Sequence, residues 1–239
     1  MPPMHKLFGL KVRRFRRVVL VLQLLATAVT LAWVPDNATK LAVMLVVWAT
    51  GFGRIKRTEF ALVACVNAIF ILMDIATLRQ GAFRFTSPNL LGLPYYEFLM
   101  WGFYVLNAIR FIGARPPQGS TTRAIGWVVL FALPFALIQD YRLLFLASAA
   151  SLAIGLGLFH KSRDIAFVGY MIGMGAVIEY TGVHSGQWIY DGPTFGGVPL
   201  WFAPMWGGVG LFVHRLGLPL MGHLSRLGKA DRLGAERVQ

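Results

Sequence analysis

The sequence predicts an all-α protein, a polytopic transmembrane helical bundle of about eight helices in two parallel four-helix repeats. Three observations support this fold class. Of the 239 residues, 56% are hydrophobic and 14% are charged, with a mean hydropathy of +0.61, so the polar residues are too few to cover a soluble globule. Long apolar runs alternate with short basic segments. The same pattern of Gly, Pro and Trp recurs in both halves of the chain.

Eight apolar runs, separated by charged and turn-forming residues, are candidate membrane-spanning helices. A helix needs about 20 residues to cross the hydrocarbon core, within a range of about 17–25. The second and sixth runs are at the short limit, so a re-entrant or interfacial segment is an alternative for either. The runs cover residues 18–34, 38–53, 59–78, 94–112, 123–139, 143–159, 164–183 and 198–216.

Lys and Arg are divided unequally between the two sides that these spans would define. Nineteen of the 23 fall on the side of the N-terminus, and the other side holds Lys40, Arg79, Arg84 and Arg142. Basic residues accumulate in cytoplasmic loops, so we predict cytoplasmic termini in a bacterial-type inner membrane. The same distribution argues against nucleic acid as a partner, because nucleic-acid-binding proteins concentrate basic residues on one folded face.

The domain organisation follows from these boundaries. We expect a basic cytoplasmic N-terminus at residues 1–17, a single transmembrane domain at 18–217 and a basic cytoplasmic tail at 218–239. The first repeat covers 18–113 and the second covers 123–217. The basic start resembles a secretory signal, but no convincing cleavage site follows, so we interpret the first run as a retained helix.

A displacement of 105 residues aligns the two halves without a gap through their most distinctive region. Gly, Pro and Trp are not interchangeable in helices, so their gapless register favours an internal duplication. Four helices per half is an even number, which predicts parallel repeats with equivalent positions on the same side of the membrane. The aligned pairs include Asp74 and Glu179, Gly81 and Gly186, Pro88 and Pro193, Gly92 and Gly197, Pro94 and Pro199, Trp101 and Trp206, and Arg110 and Arg215.

Each half carries an acid near a helix end, a loop with the pattern Gly-x-aromatic-x-aromatic and a proline that is predicted to open the next helix. The acids Asp74, Glu97 and Glu179 lie in or beside apolar runs. An ionised acid is costly in lipid, so such residues usually face the bundle interior and mark a functional site. The alternative is an interfacial acid satisfied by a nearby arginine or a helix N-terminus. We predict that these three acids are catalytic.

Aromatic residues near the acids are predicted to bind an apolar substrate, although an interfacial aromatic belt is the alternative. The predicted binding residues are Trp188, Tyr190, Phe83, Phe85, Tyr96, Trp101, Trp201, Trp206 and His184. His184 and Glu179 are not spaced to share a helical face, so we expect no metal. Because the chain has no phosphate loop or dinucleotide fingerprint, we expect no cofactor. His214 is predicted to be solvated near the cytoplasmic face.

Acids beside aromatic rings in an apolar cavity suit one reaction class. A neutral carboxylic acid can protonate a carbon–carbon double bond, and aromatic faces can stabilise the resulting cation. A second carboxylate can then remove a proton, which gives cyclisation or isomerisation, or can direct water, which gives hydration. This chemistry requires neither a metal nor a nucleotide.

At these residues the sequence resembles the membrane-embedded carotenoid-modifying enzymes. The run Glu179-x-x-Gly182-x-x-x-Gly186-x-x-x-Tyr190, followed by Gly197-Val198-Pro199 and Trp206, resembles the motif of carotenoid hydratases. The run at 91–98 is similar to the Pro-x-Glu-Glu stretch of the small heterodimeric lycopene cyclases, but Tyr96 replaces its first acid. The resemblance implies a long isoprenoid or carotenoid substrate and acid-initiated alkene chemistry, with Glu179, Asp74 and Glu97 as the acids.

Two other classes of protein remain open. Parallel repeats around a polar site are also how transporters are built, so a transporter or binding protein for a lipid or small molecule is the alternative to an enzyme. A scaffold subunit without chemistry is the third. The partners we expect are membrane lipid and an apolar isoprenoid-type substrate. The enzyme hypothesis requires the three acids to converge on one aromatic-lined pocket.

Overall fold

The computed structural model describes the backbone of residues 4–224 and 226, and the side chains of residues 14–224 and 226. This part of the chain is mainly helical, which confirms the all-α class. Most of the predicted tail at 218–239 lies outside the described residues, as do the side chains of 1–13. The elements are α1 (Met4–Trp33), α2 (Asn37–Phe52), α3 (Arg57–Arg79), β1 (Phe83–Phe85), α4 (Glu97–Ile112), α5 (Thr121–Leu137), α6 (Tyr141–Leu158), α7 (Ser162–His184), β2 (Trp188–Tyr190) and α8 (Phe202–Phe212), which continues as a π-helical turn at Val213–Gly217.

In the part of the chain that the structure describes, four helices are long and apolar enough to cross a membrane: the Arg14–Trp33 part of α1, and α3, α6 and α7. The apolar helices α2 and α5 are shorter, with 16 and 17 residues. Of the two runs predicted to be at the short limit, α6 therefore has the length to cross, whereas α2 stays marginal. Large apolar side chains such as Phe60, Leu72 and Leu137 are exposed on the outer faces, as expected of a surface in contact with lipid.

The helix boundaries agree with the predicted runs except at three starts. Helix α1 begins at Met4, so the predicted N-terminal segment 1–17 is helical from that residue. Helices α4 and α8 begin three residues after Pro94 and Pro199, which were predicted to open them. Each proline carbonyl instead closes a turn, accepting from the N–H of Glu97 or Phe202 at 3.1 Å. Glu97 is therefore the first residue of α4.

The aromatic loops form an antiparallel pair of strands, β1 and β2, which the all-α prediction did not include. The register joins Arg84 to Ile189 at its centre, with Phe83 opposite Tyr190 and Phe85 opposite Trp188. Ile189 lies 105 residues after Arg84. A pair with this register is two-fold symmetric about its centre, so the strands meet at equivalent positions.

Other local features recur at the same spacing. Helices α3 and α7 each begin with a capping box, completed by Glu59 and Asp164. Glu59 forms an ion pair with Arg110 at 2.8 Å, and Asp164 forms one with Arg215. These pairs tie the end of α4 to the start of α3, and the π-helical turn after α8 to the start of α7.

The prediction that His214 is solvated was wrong. Its side chain is buried, with Nδ1 2.6 Å from Asp164 Oδ1 and its ring stacked on Phe167 at 4.9 Å between centroids. The ion pair of Arg215 with the same carboxylate draws this turn into the bundle, so the preceding residue is buried with it. The position equivalent to His214 in the first half is the apolar residue Ile109.

Candidate functional site

A cavity of about 130 Å³ lies at the end of the bundle where the two strands pair. Its walls come from the C-terminal ends of α3, α5 and α7, the N-terminal ends of α4, α6 and α8, and both strands. The lining is mostly apolar and aromatic. Both halves of the chain contribute, so the cavity exists only in the folded bundle.

All three predicted catalytic acids line this one cavity. Asp74 comes from α3, Glu97 from the start of α4 and Glu179 from α7. The predicted binding residues that also line it are Phe83, Phe85, Trp101, Trp188, Tyr190, Trp201 and Trp206. The structure therefore brings together acids and aromatic rings that are up to 132 residues apart in the sequence, as Asp74 and Trp206 are.

Glu179 is held by three hydrogen-bond donors. Its Oε2 accepts from the Trp188 indole at 3.2 Å and from the Tyr190 hydroxyl at 2.7 Å, while Oε1 accepts from Trp206 at 3.0 Å. Burial, together with the nearby Glu179 carboxylate, raises the pKa of Tyr190 well above its ordinary value, so this hydroxyl stays protonated and donates. Donors on both oxygens fit an ionised carboxylate, because hydrogen bonds to a charged acceptor are the stronger ones.

Close packing of α7 makes this arrangement possible. A Cβ atom at Gly182 would lie 2.1 Å from the Trp188 ring, and one at Gly175 would lie 2.3 Å from the Trp206 ring. Both indoles therefore lie directly over the α7 backbone, within reach of Glu179. The two glycines act by giving space for the rings rather than by unusual backbone angles.

Among the described residues, Asp74 has one side-chain donor, the indole of Trp101 at 2.9 Å. This bond is equivalent, at a spacing of 105 residues, to the bond between Trp206 and Glu179. The two indoles stack on each other with centroids 5.0 Å apart and planes inclined by 27°. Two similarly placed carboxylates in the cavity lining are therefore linked through a pair of stacked indoles.

Glu97 differs from the other two acids. It is 8% exposed and its carboxyl group accepts no hydrogen bond from the part of the chain that the structure describes. Its equivalent in the second half is Phe202. Glu97 is thus a buried acid without a donor, in a cavity where the other acids have one or three.

Several lining residues were not predicted from the sequence. Tyr104 lines the cavity one turn after Trp101, and its ring packs edge-on against Trp101 and Trp206 at 5.9 and 5.1 Å between centroids. Phe135 and Leu144 come from α5 and α6. Tyr104 follows Trp101 at helical spacing, which was an available signal, whereas nothing in the sequence indicated where α5 and α6 meet the site.

Two predicted binding residues do not line the cavity. Tyr96 is 1% exposed and packs beneath the Lys40 ammonium, with Nζ 5.5 Å from the ring centroid. His184 is exposed at the end of α7, where Nδ1 lies 2.9 Å from the Tyr180 carbonyl oxygen. Both lie beside the aromatic loops in sequence, at helix ends that do border the cavity, but their own side chains are not part of its lining.

Within residues 14–224 and 226, no group of three or more His, Cys, Asp or Glu side chains is arranged to hold a metal ion. The three acids therefore share the cavity without forming a coordination cluster. Comparison of the chain with family models, curated proteins and solved structures gives no match.

Proposed function

We propose that the chain is an integral membrane protein of eight spans, built from two parallel four-helix repeats with cytoplasmic termini. The four long apolar helices support the membrane location. The central register of β1 and β2, the two capping boxes and the two indole–carboxylate bonds support the duplication, because each joins or repeats positions 105 residues apart. Parallel repeats bring equivalent loops to one side of the membrane.

We propose further that the protein modifies a long apolar isoprenoid or carotenoid-type substrate by acid-initiated chemistry at a carbon–carbon double bond. The observation that carries this proposal is that three carboxyl groups in one aromatic-walled cavity accept different numbers of hydrogen bonds within the described chain. Glu179 accepts three, Asp74 accepts one and Glu97 accepts none. In enzymes, different surroundings keep one of two neighbouring carboxyl groups protonated and the other ionised, so that the first acts as an acid and the second as a base.

Glu97 is the proton donor in this proposal. An ionised carboxylate buried without donors or a counterion would carry a large desolvation cost, so the neutral acid is the favoured form of such a group. Its proton passes to one alkene carbon, the π electrons form the new C–H bond, and the neighbouring carbon becomes cationic. Glu97 is left as a carboxylate.

The cation is formed between aromatic faces and carboxylates. The rings of Trp101, Trp206 and Tyr104 can stabilise it through their π electrons, and the Glu179 carboxylate supplies negative charge in surroundings of low dielectric constant. Asp74 is the candidate base. It takes a proton from an adjacent carbon, which gives isomerisation or, after ring closure, cyclisation, or it takes one from an adding water, which gives hydration. Transfer of that proton back to Glu97 completes the cycle.

The size of the cavity limits what can bind. An apolar cavity of roughly 150 Å³ holds one benzene-sized molecule, so about 130 Å³ accommodates one isoprene-sized end of a chain. A long isoprenoid therefore reacts at its end, with most of its length outside the cavity.

Expression in a bacterial host that accumulates a linear polyene, followed by pigment analysis, tests the proposal. We expect a new product with the wild-type chain, its loss in Glu97→Gln, and its retention in Asp191→Asn, which removes an exposed loop carboxyl paired with Arg84. Hydration adds the mass of water, whereas isomerisation and cyclisation leave the mass unchanged. A pigment that copurifies with the protein but stays unchanged would instead favour the binding or transport class.

A further inference from the structure

Equivalent helix junctions in the two halves are packed differently. Helix α1 packs along α7. At the equivalent junction, α5 packs against α6 and α8 but makes no comparable contact with α3 in the described chain. The bundle is therefore closed on the side of α1 and α7, and open on the side of α3 and α5.

Equivalent residues on α3 and α7 differ in exposure, as expected if α1 covers α7 and α5 does not cover α3. Ile69 and Met73 on α3 are 41% and 36% exposed, whereas their equivalents Met174 and Ile178 on α7 are each 2% exposed. Cys65, four residues before Ile69, is exposed as well. Residues spaced by four share one face of a helix, so α3 presents an uncovered apolar stripe where α7 is covered.

This stripe leads into the cavity. Met73 lines the cavity, as does Phe135 from the facing helix α5. We call the surface formed by Cys65, Ile69, Met73 and Phe135 the α3–α5 groove. From Cys65 to Met73 the stripe extends about 12 Å at 1.5 Å per residue, and it is continuous with a cavity too small for a long chain.

The equivalent entrance on the other side is closed by polar side chains as well as by α1. Lys40 is 2% exposed, donates a hydrogen bond to Gln187 and lies over the ring of Tyr96. On the open side the residues equivalent to Gln187 and Tyr96 are Ala82 and Trp201, and both line the cavity. The closed side therefore has Gln187, bonded to the buried Lys40, where the open side has the small side chain of Ala82.

We propose that the α3–α5 groove binds the part of an apolar chain that the cavity cannot hold. The substrate enters from the lipid, end first, on this side only, so that each protein chain holds one substrate. This inference rests on the proposed function, because it takes the occupant to be a linear isoprenoid. The inference adds where the isoprenoid lies on the protein and which of the two equivalent entrances it uses.

The native thiol of Cys65, the only cysteine in the sequence, reports on the groove without any substitution. In lipid nanodiscs, a membrane-soluble maleimide should label wild-type Cys65, and a linear polyene should slow the labelling several-fold. The control carries Cys65→Ala and Leu22→Cys, which moves the thiol to an exposed site on α1; its labelling should not change. In a second test, Ile69→Trp should raise the polyene concentration that gives half-maximal protection, while Val29→Trp on α1 should not.

The outcomes separate this inference from the catalytic proposal. Glu97→Gln should lose conversion of the polyene and keep the protection of Cys65. If the polyene protects Cys65 but the wild-type chain does not convert it, the binding proposal for the α3–α5 groove is supported and the catalytic proposal is refuted. If the polyene is converted without protecting Cys65, or protects the thiol of the Leu22→Cys control equally, the binding proposal for the α3–α5 groove is refuted. Slow labelling that depends on the protein-to-lipid ratio, with no polyene present, would show that a second copy covers α3 and would also overturn it.

Discussion

Glutamine at position 179 should destabilise the protein, whereas glutamine at position 97 should not. Glu179 accepts three hydrogen bonds through two oxygens, but glutamine offers one oxygen and one NH2 group that only donates. In the better orientation Trp188 and Tyr190 keep an acceptor, and the Trp206 indole faces a second donor. An unpaired buried donor costs about 1–3 kcal/mol, and the two remaining bonds lose their charge assistance.

Loss of the buried charge recovers part of its desolvation cost, so we expect a net loss of about 1–3 kcal/mol for Glu179→Gln. At about 2–4 °C per kcal/mol for a chain of this size, the midpoint of thermal unfolding should fall by about 2–12 °C. Glu97→Gln breaks no hydrogen bond within the described chain and removes an acid without a donor, so its midpoint should be unchanged or higher.

The assay is thermal unfolding of both variants and the wild type in the same detergent, followed by intrinsic fluorescence. A fall in Glu97→Gln as large as that in Glu179→Gln would refute the reasoning, because it would show that Glu97 is also held by stabilising donors. Equal midpoints for Glu179→Gln and the wild type would show that the three donors contribute nothing net.

Two further predictions concern packing and the buried ion pair. Gly182→Ala should lower stability by about 1–3 kcal/mol through overpacking, because its Cβ would lie 2.1 Å from the Trp188 ring. Gly173→Ala, with open space at its Cβ, should be neutral or stabilising. Equal midpoints of thermal unfolding for the two variants would contradict the packing argument. Arg215→Met should cost about 3–5 kcal/mol, because the buried Asp164 carboxylate loses its arginine partner and keeps only His214 and the Lys161 N–H among its described partners. Arg84→Met in an exposed pair should cost at most about 1 kcal/mol; similar losses in chemical unfolding would argue against the buried pair.

Much of the fold was predictable because hydropathy and the repeat are strong signals over long segments. The run predicted at 59–78 corresponds to α3, Arg57–Arg79, and the run at 164–183 corresponds to α7, Ser162–His184. The strands were missed because each has only three residues and its partner lies 105 residues away. Their alternating aromatic residues were visible, but no local signal specified what they would pair with.

The candidate site was predictable in its acids and less so in its walls. The cost of burying charge singles out Asp74, Glu97 and Glu179 from the sequence alone, and all three line one cavity. The number of hydrogen-bond donors on each acid could not be predicted, because it depends on which indole side chain reaches which helix in the folded bundle. Tyr96 was expected among the binding residues but is not in the cavity lining, because adjacency in sequence does not give the direction of a side chain at a helix start.

Transfer of hydrogen from water to carbon tests the central claim most directly. Purified protein in nanodiscs made in D2O is incubated with a linear polyene, and the recovered pigment is analysed by mass spectrometry. If neutral Glu97 protonates a double bond, wild-type protein and Asp191→Asn should introduce deuterium at carbon, and folded Glu97→Gln should introduce none above the protein-free background. Deuterium entering at the same rate with Glu97→Gln, or no deuterium with wild-type protein that has bound the polyene, would contradict the account.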